Sequence, residues 1–201
     1  GVFGLYDLIG IDLMVDVLKS FKKELPGTDD FQNVAREIPL ITKLINEGYT
    51  GRKGKGGFYR INKSNNDKVL EAINLDTEKY SPSKKIDLKM DTVDIVGLIN
   101  REDKYGKYSW SVISKIITYA SSLVPGITDK FNDIDEAMRL GFNWAMGPFE
   151  MLNEIGLKNF FERLGQIKNN KFLENLSKSN DENFYGKRQL YTDCLLYTSP
   201  S

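Results

Sequence analysis

Two stretches of this chain repeat each other, and that repeat limits the fold more than any other feature. Gly1-Val-Phe-Gly-Leu-Tyr-Asp-Leu-Ile-Gly-Ile11 aligns with Gly147-Pro-Phe-Glu-Met-Leu-Asn-Glu-Ile-Gly-Leu157, with Gly, Phe, Ile and Gly identical. Further on, Leu40–Leu44 aligns with Phe172–Leu176 and Phe58-Tyr59 with Phe184-Tyr185. A repeat of this kind means two copies of one supersecondary unit. The second copy lacks the Arg-Lys-Gly-Lys loop of the first and is preceded by a long segment that the first does not have. That asymmetry, with a first residue already inside an apolar periodic segment, leads to the expectation of a section cut from a longer protein.

The periodicity within each copy is helical. Leu5, Leu8, Ile9, Leu13, Val17 and Phe21 recur at the spacing of one helix face, broken at Gly10. This predicts a helix to about Ile9 and a second one capped by Asp12. Pro39 opens a helix that Gly48 stops. Val93, Val96 and Ile99 predict a short helix from about Asp91. Trp110, Ile113, Ile116, Ile117, Ala120 and Val124 form a stripe ended by Pro125-Gly126. Asp133 with Glu136 predicts a capping box for a helix from Ile134 to Leu140, ended by Gly141. Pro148 opens a helix to about Ile155, and residues 157–164 and 171–176 also read as helices. Lys63–Asp67 is a turn signal, and Lys68–Leu75 pairs with Phe58–Ile61 as a small hairpin. Ser81-Pro-Ser83 reads as loop. The domains expected are 1–61, a connector at 62–107, and 108–186. The tail at 187–201, ending Cys194-Leu-Leu-Tyr-Thr-Ser-Pro-Ser201, resembles a translated sequencing adaptor and is expected to be partly non-native.

Composition closes many chemical routes. The 201 residues contain no histidine and one cysteine. Imidazole-based zinc sites, Ser-His-Asp and Cys-His catalysis, and internal disulfides are therefore excluded within the chain. Lys and Arg number 28 and so do Asp and Glu, which argues against a broad electrostatic grip on nucleic acid. No apolar run approaches the roughly 18 residues of a membrane span.

The loop Gly51-Arg-Lys-Gly-Lys-Gly-Gly57 invites a phosphate reading. Gly57 and Phe58 stand where a P-loop needs lysine and Ser/Thr, and Gly54 and Gly56 are followed by Tyr59, so both nucleotide patterns fail. The favoured reading is a structural turn with basic side chains in water, and docking through Arg52, Lys53 or Lys55 is the alternative. Asp7, Asp12 and Asp16 read as caps or a solvated face. Tyr80-Ser-Pro-Ser-Lys84 has the Tyr-x-x-x-Lys spacing of short-chain dehydrogenases, but Pro82 forbids the helix that motif needs. Met138, Phe142, Trp144, Met146 and Phe149 read as a core corner, with a wall for an apolar ligand as the sharper alternative.

Together, Phe3–Ile11, Gly51–Tyr59, and Asp133–Met138 through Gly147-Pro-Phe-Glu150 resemble the C-terminal helical domain of 3-hydroxyacyl-CoA dehydrogenases. Their tandem order is similar to the multifunctional fatty-acid β-oxidation proteins, as is Tyr108–Gly156. The resemblance implies an all-α fold, two tandem helical domains of the 6-phosphogluconate dehydrogenase C-terminal-like type with a small β-hairpin in the connector. It implies an oxidoreductase that uses NAD, bound by a nucleotide-binding half absent from this chain, with acyl-CoA as substrate and with homodimer or interdomain contacts. The family's catalytic His–Glu pair and asparagine also lie outside these residues. No catalytic, cofactor or metal residue carries over. What carries over as substrate-side or packing motif is Gly51, Arg52, Lys53, Gly57, Phe58, Tyr59, Asp133, Asp135, Gly147, Pro148 and Phe149. Val2 and Gly4 depart from the family's proline and glutamate. A cytoplasmic bacterial protein is expected. A non-catalytic helical interaction or dimerisation module is the other reading.

Overall fold

A computed structural model describes residues 1–63, 68–84, 94–167, 170–179 and 184–185. The chain divides into two compact units, Gly1–Leu88 and Lys89–Ser201. The tail at 187–201 and most of the turn at Lys63–Asp67 lie outside the described residues.

In the first unit, α1 (Val2–Ile9) and α2 (Ile11–Glu24) are separated by Gly10, whose φ of 115° is open to glycine and strained for other residues. Gly10, not Asp12, is the N-cap of α2, and Asp12 sits in the first turn. A single turn, α3 (Phe31–Val34), was not anticipated. α4 (Pro39–Asn46) begins at its proline, whose missing N–H costs nothing at the first helical position. The core of the unit is Ile11, Leu40, Ile41, Leu44 and Phe58.

The hairpin is real and carries a third strand. β1 (Tyr59–Asn62) pairs antiparallel with β2 (Val69–Ile73), placing Arg60 opposite Glu71. β2 pairs with β3 (Tyr80–Pro82), so Ser81-Pro82 is strand, not loop. Proline is tolerated there because β3 is an edge strand. The sheet residues fall in the first unit and the described residues from 94 onward in the second.

The second unit holds α5 (Ile95–Ile99), α6 (Lys104–Ser122), α7 (Phe131–Phe142), α8 (Pro148–Ile155), α9 (Leu157–Leu164) and α10 (Lys171–Ser179). The Asp94 carboxylate caps α5 by accepting the Gly97 N–H; the expected start near Asp91 lies outside the described residues. α7 lacks the expected capping box: Lys130 is its N-cap, and Asp133 accepts from the Thr128 hydroxyl instead. It runs past Gly141 and ends where Asn143 turns left-handed at φ 54°. Phe149, Leu152, Ile155, Phe160, Ile117 and Leu173 form the centre of the core. Of the predicted corner, only Phe149 is buried; Phe142 is 69% exposed because α7 carries it beyond the packed face. No described helix is long and apolar enough to cross a membrane.

Candidate functional site

Each unit contains one buried aspartate that holds two successive backbone N–H groups beside a glycine. In the first unit it is Asp7 on α1, only 4% exposed. Its Oδ1 accepts the Phe58 N–H at 2.8 Å and its Oδ2 the Tyr59 N–H at 2.8 Å. The expectation of a cap or a solvated face is thus corrected for Asp7: its carboxylate reaches across the fold to the start of β1. Gly57 is required by this approach, since a Cβ there would lie 2.0 Å from Asp7 Oδ1.

The glycine-rich loop is strapped to the same helix. The Arg52 N–H donates to the Asp7 carbonyl at 2.7 Å, and a Cβ at Gly51 would stand 2.4 Å from that oxygen. Gly51 N–H binds the Gly56 carbonyl, Gly54 N–H the Gly51 carbonyl, and Lys55 N–H the Gly48 carbonyl. The Lys53 ammonium is 2.9 Å from Asp12 Oδ1, and this contact holds the Asp12 carboxyl below its ordinary range. The Lys55 ammonium donates to the Glu47 carbonyl at 2.9 Å. The Gly51, Arg52, Gly54 and Lys55 N–H groups and the Lys53 and Lys55 ammonium groups are thus already engaged, partly by the loop itself and partly by Asp7, Asp12, Glu47 and Gly48, and the loop does not fit a dinucleotide. The Arg52 side chain is exposed. Phe58 is buried against Phe3, at 4.6 Å between ring centroids, and Tyr59 is 37% exposed.

Behind this corner is a polar cluster that the sequence reading missed. Arg60 Nε pairs with Glu71 Oε2 at 2.7 Å, and Asn62 Nδ2 donates to Glu71 Oε1 at 3.0 Å. The hydrogen bond from Asn62, then that from Arg60, lowers the Glu71 carboxyl. The Arg60 guanidinium lies 3.9 Å from the Tyr80 ring centroid. Tyr80 donates its hydroxyl to the Gly57 carbonyl at 2.6 Å, and burial foremost pushes its pKa up to about 12. A phenol so placed cannot act as a base near neutrality. The signal for the cluster is cross-strand register, which becomes visible only once β1 and β2 are paired.

In the second unit the buried aspartate is Asp135 on α7, with no exposed surface. Oδ1 accepts the Phe149 N–H at 2.8 Å; Oδ2 accepts the Glu150 N–H at 3.1 Å and the Tyr185 hydroxyl at 2.7 Å. Gly147 has no side chain to cap α8, and Asp135 does so from a neighbouring helix. The space is fully used: a Cβ on Gly147 would meet the Asp135 Cα at 2.3 Å. Glu150 Oε2 accepts the Gly147 N–H at 2.8 Å, while its other oxygen pairs with Arg139. Pro148 and Phe149 are buried, and Phe131 packs against Phe149, Phe172, Phe184 and Tyr185. Burial raises the Asp135 pKa, although the three donors oppose that shift. Asp133, two residues away, is exposed. Among the described residues, no group of three acidic or cysteine side chains could hold a metal.

Two helical units, each locked by a buried aspartate at a glycine corner, define a tandem structural domain. A family model matches both copies, and this chain belongs to the family "3-hydroxyacyl-CoA dehydrogenase, C-terminal domain", over residues 1–61 and 111–183. It is 41% identical over 152 residues to a Rickettsia felis protein named as a fatty acid oxidation complex trifunctional enzyme, covering 76% of this chain and 21% of that protein. The Rickettsia prowazekii protein of the same name is 40% identical over 159 residues, covering 79% of this chain and 22% of the relative. A Bacillus subtilis protein named as a 3-hydroxyacyl-CoA dehydrogenase is 29% identical over 171 residues, with 82% and 21% covered. The chain thus spans about a fifth of the length of these relatives. No solved structure matches it.

Proposed function

We propose that this chain is the helical, substrate-side part of an NAD-dependent 3-hydroxyacyl-CoA dehydrogenase of fatty-acid oxidation. The observation that carries the reading is the family match on both repeats, 1–61 and 111–183. The whole protein would oxidise an L-3-hydroxyacyl-CoA to the 3-ketoacyl-CoA in the cytoplasm, with NAD held by polypeptide other than this chain. Hydride transfer needs a site that orients nicotinamide against the substrate carbon. The described sheet is a three-stranded antiparallel one and the glycine loop is internally bonded, so these residues do not fit NAD. Their contribution is closure over the acyl thioester and packing between domains or subunits, with Gly51–Tyr59 and Asp133–Phe149 as the rigid corners.

NADH formation from 3-hydroxybutyryl-CoA tests this. Turnover is expected from the longer protein and not from the chain alone. Turnover proportional to the chain alone would overturn the division of labour, and an inactive longer protein would overturn the reaction. A second reading, a non-catalytic interaction module, is favoured by one feature: Val2, Leu5 and Leu8 on α1 are each more than half exposed.

A further inference from the structure

We infer that the hairpin of β2 and β3 is a latch on the glycine corner: Asp7 keeps its hold on the Phe58 and Tyr59 N–H groups only while Tyr80 holds the Gly57 carbonyl, and corner and hairpin open as one unit. Every backbone N–H and C=O group of Gly57, Phe58 and Tyr59 has a partner, and the partners come from two sides. From α1, the Asp7 carboxylate accepts the Phe58 and Tyr59 N–H groups. From the hairpin, the Tyr80 hydroxyl donates to the Gly57 carbonyl at 2.6 Å and the Ile73 N–H to the Phe58 carbonyl at 2.9 Å. The remaining bond is internal, from the Gly57 N–H to the Tyr59 carbonyl at 2.9 Å. Gly57 and Phe58 are buried, so withdrawal of either side leaves polar groups unpaired away from water. That shared cost couples the two sides.

The Tyr80 ring is itself held in place. The Arg60 guanidinium lies over it, pairs with Glu71 and donates to the Tyr49 hydroxyl at 3.2 Å, and the Tyr49 ring is 5.5 Å from the Tyr80 ring between centroids. At the hairpin turn, Lys43 on α4 pairs with Glu78 at 2.6 Å. Glu78 has a φ of 56°, a left-handed conformation that costs a residue with a Cβ, so this ion pair holds a turn under strain. Packing is also thinner here. Apart from Glu71, no residue of β2 or β3 is buried, whereas α4 buries Leu40, Ile41 and Leu44. Segments with few buried contacts open at lower free energy than the core. The hairpin therefore opens ahead of the helical core and takes the corner with it. The family match on the first copy ends at residue 61. The latch lies beyond that match and extends the cooperative unit of the first copy to Ser83.

Amide hydrogen exchange on this chain tests the latch. Tyr80→Phe keeps the ring beneath Arg60 and removes only the hydroxyl. Exchange at Phe58, Tyr59 and Ile73 should quicken together by about tenfold or more, while Leu44 in the helical core changes by less than about twofold. Coupling of this kind is reciprocal. Asp7→Asn alters the other side of the corner, and it should quicken exchange at Asn74 and Ser83, whose N–H groups bond within the hairpin to the Lys79 and Leu70 carbonyls. Unchanged exchange at Phe58 and Tyr59 in Tyr80→Phe would overturn the inference. Equal acceleration at Leu44 would overturn it too, because the hydroxyl would then support the whole unit and not the corner. So would Asn74 and Ser83 amides that do not respond in a folded Asp7→Asn protein. If Asp7→Asn does not fold, Tyr80→Phe decides alone.

Discussion

α1 and α8 are the same helix twice, placed in different company. Both begin after a glycine, run eight residues and stop at a positive-φ glycine. Yet Phe149 is fully buried while Phe3 is 43% exposed. The local sequence therefore fixes the helix and its hinge, and the neighbours fix what the helix is worth. In α8, Glu150 reaches back to the Gly147 N–H and Asp135 takes the next two amides. In α1, Gly4 stands at the position of Glu150, and among the described residues no side chain caps the helix as Asp135 caps α8. The aspartate of the first unit comes from α1 itself: Asp7 points the other way, into β1.

Glycine substitution gives the sharpest way to break this comparison. Gly147 has an ordinary φ of −79°, so its requirement is space, with the Asp135 backbone in the way. Backbone cannot move aside as a flexible side-chain end can. Gly147→Val should destabilise the second unit by about 3 kcal/mol, and Gly1→Val should change stability by less than about 0.5 kcal/mol. Thermal or denaturant unfolding checks both. Equal effects would mean that the two glycines share one role.

Next in size are the aspartates. Asn offers one acceptor oxygen where Asp offers two. At Asp135 three donors compete for it, and at Asp7 two side-chain-bound amides do. A buried N–H left without a partner costs about 1–3 kcal/mol, so each Asp→Asn change should cost about 2 kcal/mol, with Asp135→Asn the larger. Unfolding followed separately for each unit, through Trp110 and Trp144 fluorescence for the second and far-ultraviolet dichroism for both, measures the ranking.

The contrast between these residues also shows what a sequence can reveal. α8 and α9 were legible: proline opens the first, and the expected spans, 148 to about 155 and 157–164, agree with those observed. The hairpin was legible from the turn signal at Lys63–Asp67. Asp7 was not, because its partners lie 51 and 52 residues away and it looks like Asp12 and Asp16 along the helix. Asp133 and Asp135 were equally prominent in the sequence, and only packing separates the exposed one from the buried one. β3 was hidden by Pro82, which marks a loop unless the strand lies at an edge.

A smaller effect sharpens the comparison from the other side. Gly4→Glu gives α1 the residue that α8 has at this position. A Cβ at Gly4 meets nothing within 4 Å, so there is room. Glutamate is a better helix former than glycine and favours the positive end of the helix. The first unit should gain about 1 kcal/mol, read as a higher denaturation midpoint. A loss would show that α1 needs glycine there for a contact that the second unit does not make.

The last expectation sets two aspartates of the second unit against each other by pH. Asp103 caps α6, accepting the Tyr105 and Gly106 N–H groups, and pairs with Arg101 at 2.5 Å. The Arg101 hydrogen bond foremost, then the Gly106 amide, lowers its pKa from 3.8 to about 2. A carboxyl depressed in the folded state adds stability above its unfolded pKa and loses it as pH falls through the folded value. For Asp103 the loss runs from about pH 4 down to about 2. Asp135 has the opposite sign: burial raises its pKa, so the folded state holds a proton that the unfolded state has released just above the ordinary carboxylate range. There, acidification favours the folded unit. Stability of the second unit should therefore hold or rise slightly as pH first drops into that range, then decline toward pH 2. Asp103→Asn should flatten the decline and leave the earlier portion unchanged, while Asp135→Asn should remove the earlier portion alone. Unfolding midpoints across the acid range, for the chain and both variants, decide it; a decline that survives Asp103→Asn would place the acid sensitivity elsewhere than at the start of α6.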